Sequence, residues 1–123
     1  MKFVVVIIAM SFASVAFAAG APKSTPALLE KGKAAFLVNC MPCHGEKGDG
    51  EGPAGLALKT AGTPPRNFGV DPFKQGEKPA DVFKTITAGV AGTPMVGFPQ
   101  LSEEDRWGMS YHVLALRKAG KKK

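Results

Sequence analysis

Most of the cysteine and histidine residues of this chain lie within five consecutive positions. The segment at 40–44 reads CMPCH, so two thiols are separated by two residues and an imidazole follows the second thiol directly. Sulfur and imidazole nitrogen are the protein groups that bind transition metals or hold a metal-containing cofactor. The clustering therefore marks residues 40–44 as the segment best equipped for chemistry.

Three interpretations of this cluster use only part of it or fit poorly. A disulfide between Cys40 and Cys43 would close a very small ring and restrict little of the unfolded chain. A redox-active dithiol needs a βαβ context and a helix N-terminus, whereas this motif follows a predicted helix in a chain without strand patterns. A zinc site would need His112 as fourth ligand, with the adjacent Cys43 and His44 both facing one tetrahedral centre.

Covalent haem is the fourth interpretation, and it uses all three residues. Cys-x-x-Cys-His is the attachment signature of c-type haem, in which each thiol forms a thioether with one vinyl group. The next imidazole can then reach the iron from one face. The sequence predicts haem c held by Cys40 and Cys43, with His44 as an iron ligand. A thiol-disulfide oxidoreductase remains the alternative.

The N-terminus has the pattern of an export signal. Lys2 precedes the apolar run FVVVIIAM, and AFA at 16–18 offers the small residues that a signal peptidase reads. We therefore expect residues 1–18 to be a cleaved signal peptide and the protein to be periplasmic. An uncleaved anchor is the alternative, although the strictly apolar stretch is shorter than the ~20 residues of a spanning helix. Residues 19–25 would form a flexible lead.

The rest of the chain predicts helices and long loops in one domain. Helices are expected over Pro26 to Asn39 with Thr25 as N-cap, within 53–59, over Pro79 to Ala88, and from Ser102 to a stop at Gly120. The segments between them are rich in glycine and proline, and no strand pattern appears. The predicted class is all-α, with a domain at 26–120 and a basic tail at 121–123. Loops this long suggest that something besides helix packing holds them.

Apolar spacing and charge indicate which surfaces are buried. One face of the first helix carries Leu28, Gly32, Ala35 and Phe36, and one face of the last helix carries Trp107, Tyr111 and Leu114. The net charge is +6, and the last seven residues hold five of the basic side chains, among them Arg117. No aromatic residues interleave with this run, so we expect a solvated end and no nucleic-acid partner.

These features resemble the small monohaem class I cytochromes c of bacteria. The resemblance lies in GKAAFLVNCMPCH, in GTPMVGF and in the ending LSEEDRWGMSYHVLAL. It implies a cytochrome c fold of three to four helices around one covalently bound haem, with the first and last helices crossing at Gly32, Phe36 and Tyr111. It also implies a single-electron carrier, not an enzyme. Such a carrier meets redox partner proteins transiently and reaches a membrane only indirectly, through a respiratory complex.

The second iron ligand could come from Met95, Met109 or His112. Met95 follows Thr93-Pro94 in a predicted loop, whereas the other two lie on the last predicted helix. The resemblance points to Met95, and Met/His ligation would leave no open iron position. If Met95 is not a ligand, a haem enzyme or gas sensor with an open position becomes the alternative.

The surroundings of the haem follow from the same resemblance. The Pro53 carbonyl is expected to accept the other ring N–H of His44, while Arg66 and Asn67 are expected to contact the propionates. A plain surface cation is the alternative for Arg66. Eight apolar residues are candidates for the pocket wall: Leu56, Leu58, Phe68, Val82, Phe83, Ile86, Val96 and Phe98.

Overall fold

Helices and loops make up the part of the chain that the structure, a computed structural model, describes. That part is residues 20–123, so the signal peptide expected at residues 1–18 lies outside it. Within this range the chain forms five helices, which are α1 (Pro26–Asn39), α2 (Met41–His44), α3 (Gly55–Thr60), α4 (Pro79–Ala88) and α5 (Glu103–Lys121). No strand occurs within residues 20–123, which confirms the all-α class. None of the helices in this range is long and apolar enough to cross a membrane.

Local capping signals explain the limits of the two best-predicted helices. Thr25 accepts the N–H of Leu28 on its Oγ1 at 3.1 Å, and Pro26 needs no partner for its nitrogen, so α1 begins as expected. The Asp81 carboxylate accepts the N–H of Lys78 at 3.1 Å at the start of α4. Both helices have the predicted limits, and these local signals account for where each helix begins.

The crossing of α1 and α5 is the main helix contact of the fold. Gly32 meets Gly108 so closely that a Cβ on Gly32 would lie 1.9 Å from the carbonyl carbon and oxygen of Gly108. Phe36 lies one turn further along α1 and is fully buried. Its ring meets the His112 ring edge-on at 4.9 Å. Two glycines therefore let the helix backbones touch, and Phe36 fills the space beside them.

The buried face of α5 differs from the predicted one. Trp107, Tyr111 and Leu114 are only half-buried, whereas the buried residues are Gly108, Met109, Ser110, Val113 and Arg117. The reason is that Gly108 must face α1, which rotates the helix and moves the large aromatic residues to the edge. There the Tyr111 hydroxyl donates to the carbonyl of Pro22 at 2.5 Å and so contacts the N-terminal lead.

The predicted stop at Gly120 is also wrong, since α5 continues to Lys121. A Cβ on Gly120 would lie 2.5 Å from the Cα of Gly69. The glycine therefore serves close packing between the end of α5 and the loop at 66–73, and it does not end the helix.

Arg117 is the one member of the basic C-terminal run that is buried, at 6% exposure. Its guanidinium donates to the carbonyls of Phe68 at 2.5 Å and Asp71 at 2.9 Å, and it pairs with the Glu77 carboxylate. This contact, with help from Lys121, holds the pKa of Glu77 below its usual value. The expectation of a solvated end is therefore wrong for Arg117, which connects α5 to the long loop before α4.

Replacing Gly108 by alanine is expected to destabilise the protein. Alanine favours a helix over glycine by about 1 kcal/mol, but here its Cβ would lie 2.6 Å from the Leu28 carbonyl oxygen and 2.8 Å from the Gly32 Cα. Backbone atoms cannot turn aside, so the helices must separate, and overpacking of this kind costs about 1–3 kcal/mol. Denaturant unfolding of Gly108→Ala measures the loss. Gly20→Ala, with nothing within 4 Å of the added carbon, is the control, and equal stability of the two variants would contradict the close contact.

Candidate functional site

A cavity of about 440 Å³ brings together distant parts of the chain. Its wall is built from the end of α1, from α2, from Leu58 in α3, from residues of the loops at 62–68, 73–76 and 90–98, and from faces of α4 and α5. Four residues singled out in the sequence for their sulfur or nitrogen atoms line it: Cys40, Cys43, His44 and Met95. The volume is within the usual range for cofactor pockets.

The short helix α2 orients the two thiols and the imidazole. The chain leaves α1 at Cys40 and makes one more turn, in which the N–H groups of Cys43 and His44 both donate to the Cys40 carbonyl, at 3.2 and 2.9 Å. This turn places all three side chains on the cavity side. No separate signal for α2 is present in the sequence, because its four residues contain Pro42 and no apolar repeat.

The two cysteines are separate thiols in different surroundings. Cys40 is buried and Cys43 is half-buried. Burial, with a smaller contribution from Cys43, raises the pKa of the Cys40 thiol to about 12. Catalytic dithiols work through a lowered thiol pKa that supplies thiolate near neutral pH. The buried Cys40 thiol does not have that lowered pKa.

His44 is held by the loop at 66–68. Its Nδ1 lies 3.2 Å from the Arg66 carbonyl oxygen. A carbonyl can only accept, so Nδ1 carries the proton and Nε2 keeps its lone pair for a metal. The Phe68 ring stacks on the imidazole at 4.7 Å and 29°. Burial lowers the pKa of His44, and the Arg66 carbonyl only partly offsets this shift. The shift favours the neutral imidazole, which is the form that binds a metal.

The Pro53 carbonyl was the expected hydrogen-bond acceptor for His44. In the structure the Arg66 carbonyl takes that place, so the expectation is wrong. Pro53 is exposed and does not line the cavity. The loop at 45–54 instead pairs with the backbone of α2. The Gly52 N–H donates to the Cys43 carbonyl at 3.3 Å, and the Ala54 N–H donates to the Pro42 carbonyl at 2.8 Å. Since these residues pair with the α2 backbone, the 66–68 loop is the segment that reaches the His44 ring.

Gly48 explains why the loop after the motif is rich in glycine. Its φ of +69° favours glycine, and a Cβ there would lie 2.4 Å from the Phe68 ring. Its carbonyl accepts the Phe68 N–H at 2.7 Å. The loop thus fits closely under Phe68 and holds that ring against His44.

Met95 is presented by a loop that folds back on the end of α4. The Val90 N–H donates to the Met95 carbonyl at 3.0 Å, and the Met95 N–H donates to the Thr93 hydroxyl at 3.2 Å. Phe98 is tied to Ile86 in α4 by an N–H···O bond of 2.8 Å. These bonds fix the loop on both sides of Met95.

The competing ligands Met109 and His112 do not line the cavity. Met109 is fully buried in the core, and His112 packs on Phe36. Burial lowers the pKa of His112, as expected for a ring in a helix crossing. The four residues that a zinc site would need are therefore not brought together.

Apolar side chains form most of the cavity wall. Six of the eight predicted residues line it: Leu58, Phe68, Val82, Ile86, Val96 and Phe98. The prediction is wrong for Leu56, which points to solvent and is 73% exposed. The prediction is also wrong for Phe83, because its ring stacks on the Trp107 ring, with 4.1 Å between the ring centres, on another side of α4. The sequence analysis missed Phe73, Val90 and Val113 as wall residues. Of these, only Val113 had a sequence signal, since it follows the apolar residue Met109 at a helical spacing of four.

Arg66 and Lys74 are the charged residues that line the cavity within residues 20–123. Asn67, expected beside Arg66, lies outside it, and its side-chain oxygen accepts the Gly69 N–H at 3.0 Å. Haem c needs two thiols for its attachment, a histidine nitrogen as an iron ligand, an apolar wall and cations for its carboxylates. The lining residues supply each of these, so they fit that group.

Comparison with known proteins gives a family and a relative of known structure. A family model for cytochrome c matches residues 29–117. No functionally curated protein gives a match. Among solved structures, a chain of the reducing HAO-like protein complex of Kuenenia stuttgartiensis is 32% identical, with a TM-score of 0.69. The likeness covers 80% of this chain and 47% of that one, so this chain spans about half the length of its relative.

The family match extends from the second turn of α1 to Arg117 in α5 and includes every residue that lines the cavity. The wall of that cavity carries the Cys-x-x-Cys-His motif and the other groups that haem c needs. The chain therefore belongs to the cytochrome c family, whose members transfer electrons through covalently bound haem c.

Proposed function

We propose that this protein is a periplasmic single-electron carrier with one haem c, bound through Cys40 and Cys43. His44 and Met95 are its axial iron ligands. The observation that carries the proposal is that all four residues line one apolar cavity, although Met95 lies far from the other three in the sequence. The periplasmic location rests on the export pattern at residues 1–18.

The protein residues set the ligand field and the protonation of the site. The Arg66 carbonyl fixes the Nδ1 proton of His44, so its Nε2 can bind iron. The Met95 thioether is a soft, neutral ligand, which favours Fe(II) and raises the reduction potential relative to a second histidine. The haem, when bound, supplies the one-electron chemistry.

The apolar wall and the double ligation both favour a carrier over an enzyme. An apolar environment disfavours the additional positive charge of the oxidised state, which again raises the potential. With Met95 and His44 both bound, the iron has no position for a substrate. Electrons then have to pass by close approach of a partner.

The mouth of the cavity suits brief contact with redox partner proteins. Val96 lines the cavity and is 63% exposed, so it offers an apolar contact. Lys74 also lines the cavity and is exposed. Weak electron-transfer encounters use small interfaces, and cations near the rim steer acidic partners. The structural relative belongs to a protein complex, which is consistent with redox protein partners.

The direct test is to produce the protein in a host that attaches haem c and to examine the mature chain. We expect a mass increase of ~0.6 kDa that survives denaturation, as thioether links require. We also expect a low-spin spectrum that changes reversibly with one electron per chain. A colourless chain with two thiols open to alkylation would favour the thiol-disulfide oxidoreductase.

Met95→Ala is expected to remove the sulfur ligand. The weak far-red band (~695 nm) that reports an iron–sulfur bond should disappear, and the reduction potential should fall. The reduced variant should bind carbon monoxide at the freed position. Met109→Leu is the matched control, because Met109 is buried in the core and should leave the band intact. A wild-type protein without the band that binds carbon monoxide readily would favour the haem enzyme or gas sensor.

Lys74→Glu is expected to change electron transfer according to the charge of the reagent. Oxidation by the ferricyanide anion should slow by about two- to tenfold at low salt, and oxidation by a cationic cobalt complex should accelerate. Stopped-flow rates at low and high ionic strength measure this. Lys84→Glu makes the same change in net charge on α4 but away from the cavity. Equal effects of the two variants would argue against a role for the rim.

A further inference from the structure

We propose that Arg117 is a positioning residue for His44, acting through the turn at 66–73. The inference rests on the proposed function, since it concerns His44 as an iron ligand. Arg117 itself does not line the cavity.

The turn at 66–73 carries both contacts that hold the His44 ring. The Arg66 carbonyl lies 3.2 Å from Nδ1, and the Phe68 ring stacks on the imidazole at 4.7 Å. An imidazole can rotate about its side-chain bonds, and these two contacts fix its plane and its tautomer. Any group that fixes the turn therefore fixes the ring.

The turn has local hydrogen bonds around Asn67 and Asp71, but its position against the rest of the protein depends on neighbouring segments. Asp71 closes it locally, because its carboxylate accepts the Asn67 N–H at 2.9 Å and its own N–H donates to the Asn67 carbonyl at 2.8 Å. Gly48 supports it on the side of the attachment motif through the Phe68 N–H. The opposite side faces α5.

Arg117 supplies the support from α5. One nitrogen, Nη1, donates to the carbonyls of Phe68 and Asp71, at 2.5 and 2.9 Å, while Nη2 pairs with the carboxylate of Glu77. The guanidinium carbon also lies 4.3 Å from the centre of the Phe73 ring. Four groups of one loop segment thus converge on one planar cation.

Burial makes this contact specific. A charged group at 6% exposure is costly unless it is paired and hydrogen-bonded. Nε of Arg117 is buried without a partner, so the guanidinium depends on the contacts that Nη1 and Nη2 make with this loop. A lysine would keep the charge, but its compact ammonium cannot reproduce a planar fork that reaches two carbonyls and a carboxylate. The shape of the guanidinium, as well as its charge, sets the position of Phe68.

Arg106 provides a matched comparison on the same helix. It is half-buried, it donates to the Thr87 hydroxyl at 2.7 Å, and its guanidinium carbon lies 5.0 Å from the Phe83 ring centre. It contacts α4 and not the 66–73 turn. Loss of Arg106 removes an arginine and a cation–π contact without touching the support of His44.

The experiment compares haem-loaded Arg117→Lys, Arg117→Met, Glu77→Gln and Arg106→Met with the wild type. The readouts are the proton NMR shifts of the haem methyl groups in the oxidised protein, which depend on the plane of the axial imidazole, and the reduction potential. Both are measured under conditions where circular dichroism shows a fully folded chain, so a change in stability alone does not move them.

We expect both Arg117 variants to change the methyl-shift pattern and to shift the potential, and Arg106→Met to leave both unchanged. Glu77→Gln should give a smaller change of the same kind, and it carries the test if the Arg117 variants do not fold. Wild-type values in Arg117→Lys would mean that charge alone acts, and they would overturn the proposal. An equal change in Arg106→Met would also overturn it. A wild-type chain without a low-spin, histidine-ligated haem would instead overturn the proposed function.

Discussion

The contact between Gly32 and Gly108 is the constraint on which the rest of the structure depends. It brings the backbones of α1 and α5 together, and it decides which face of each helix is buried. The end of α1 then fixes where α2 presents Cys40, Cys43 and His44. The opposite helix brings Val113 to the cavity wall and Arg117 to the turn behind it. A cofactor site is thus positioned by two residues that carry no side chain.

The sequence predicted the parts of the fold that depend on local signals. The limits of α1 follow from Thr25 and Pro26, and the spacing of the attachment motif pointed to the residues that share the cavity. The prediction of the buried face of α5 was wrong, because the spacing of large apolar residues is a weaker constraint than the backbone contact at Gly108. That contact involves a residue 76 positions away, which no local pattern in a single sequence can reveal.

The predicted hydrogen-bond acceptor for His44, the Pro53 carbonyl, was wrong for a related reason. A backbone carbonyl has no side-chain identity, so which residue offers one depends on how the loops pack and not on residue type. Arg117 was missed because a cation in a basic run is usually solvated. Its burial depends on carbonyls 46 and 49 positions earlier in the chain. In each case the missing information was tertiary contact, and the residues that do the chemistry were easier to find than the ones that hold them.

The long loops now have a physical explanation, although they contain little regular structure. Helix contacts join α1 with α5 and α2, α4 with α5, and α2 with α3. The segment at 61–78 is instead held by side chains: Phe68 on His44, and Arg117 on the carbonyls behind it. The segment at 89–98 is held by its bonds to α4. Since both segments line the cavity, the groups that stabilise the loops are also the groups that shape the site. Stability and site geometry are therefore coupled in this domain, and a change that loosens either loop acts on the surroundings of the proposed ligands His44 and Met95 at the same time.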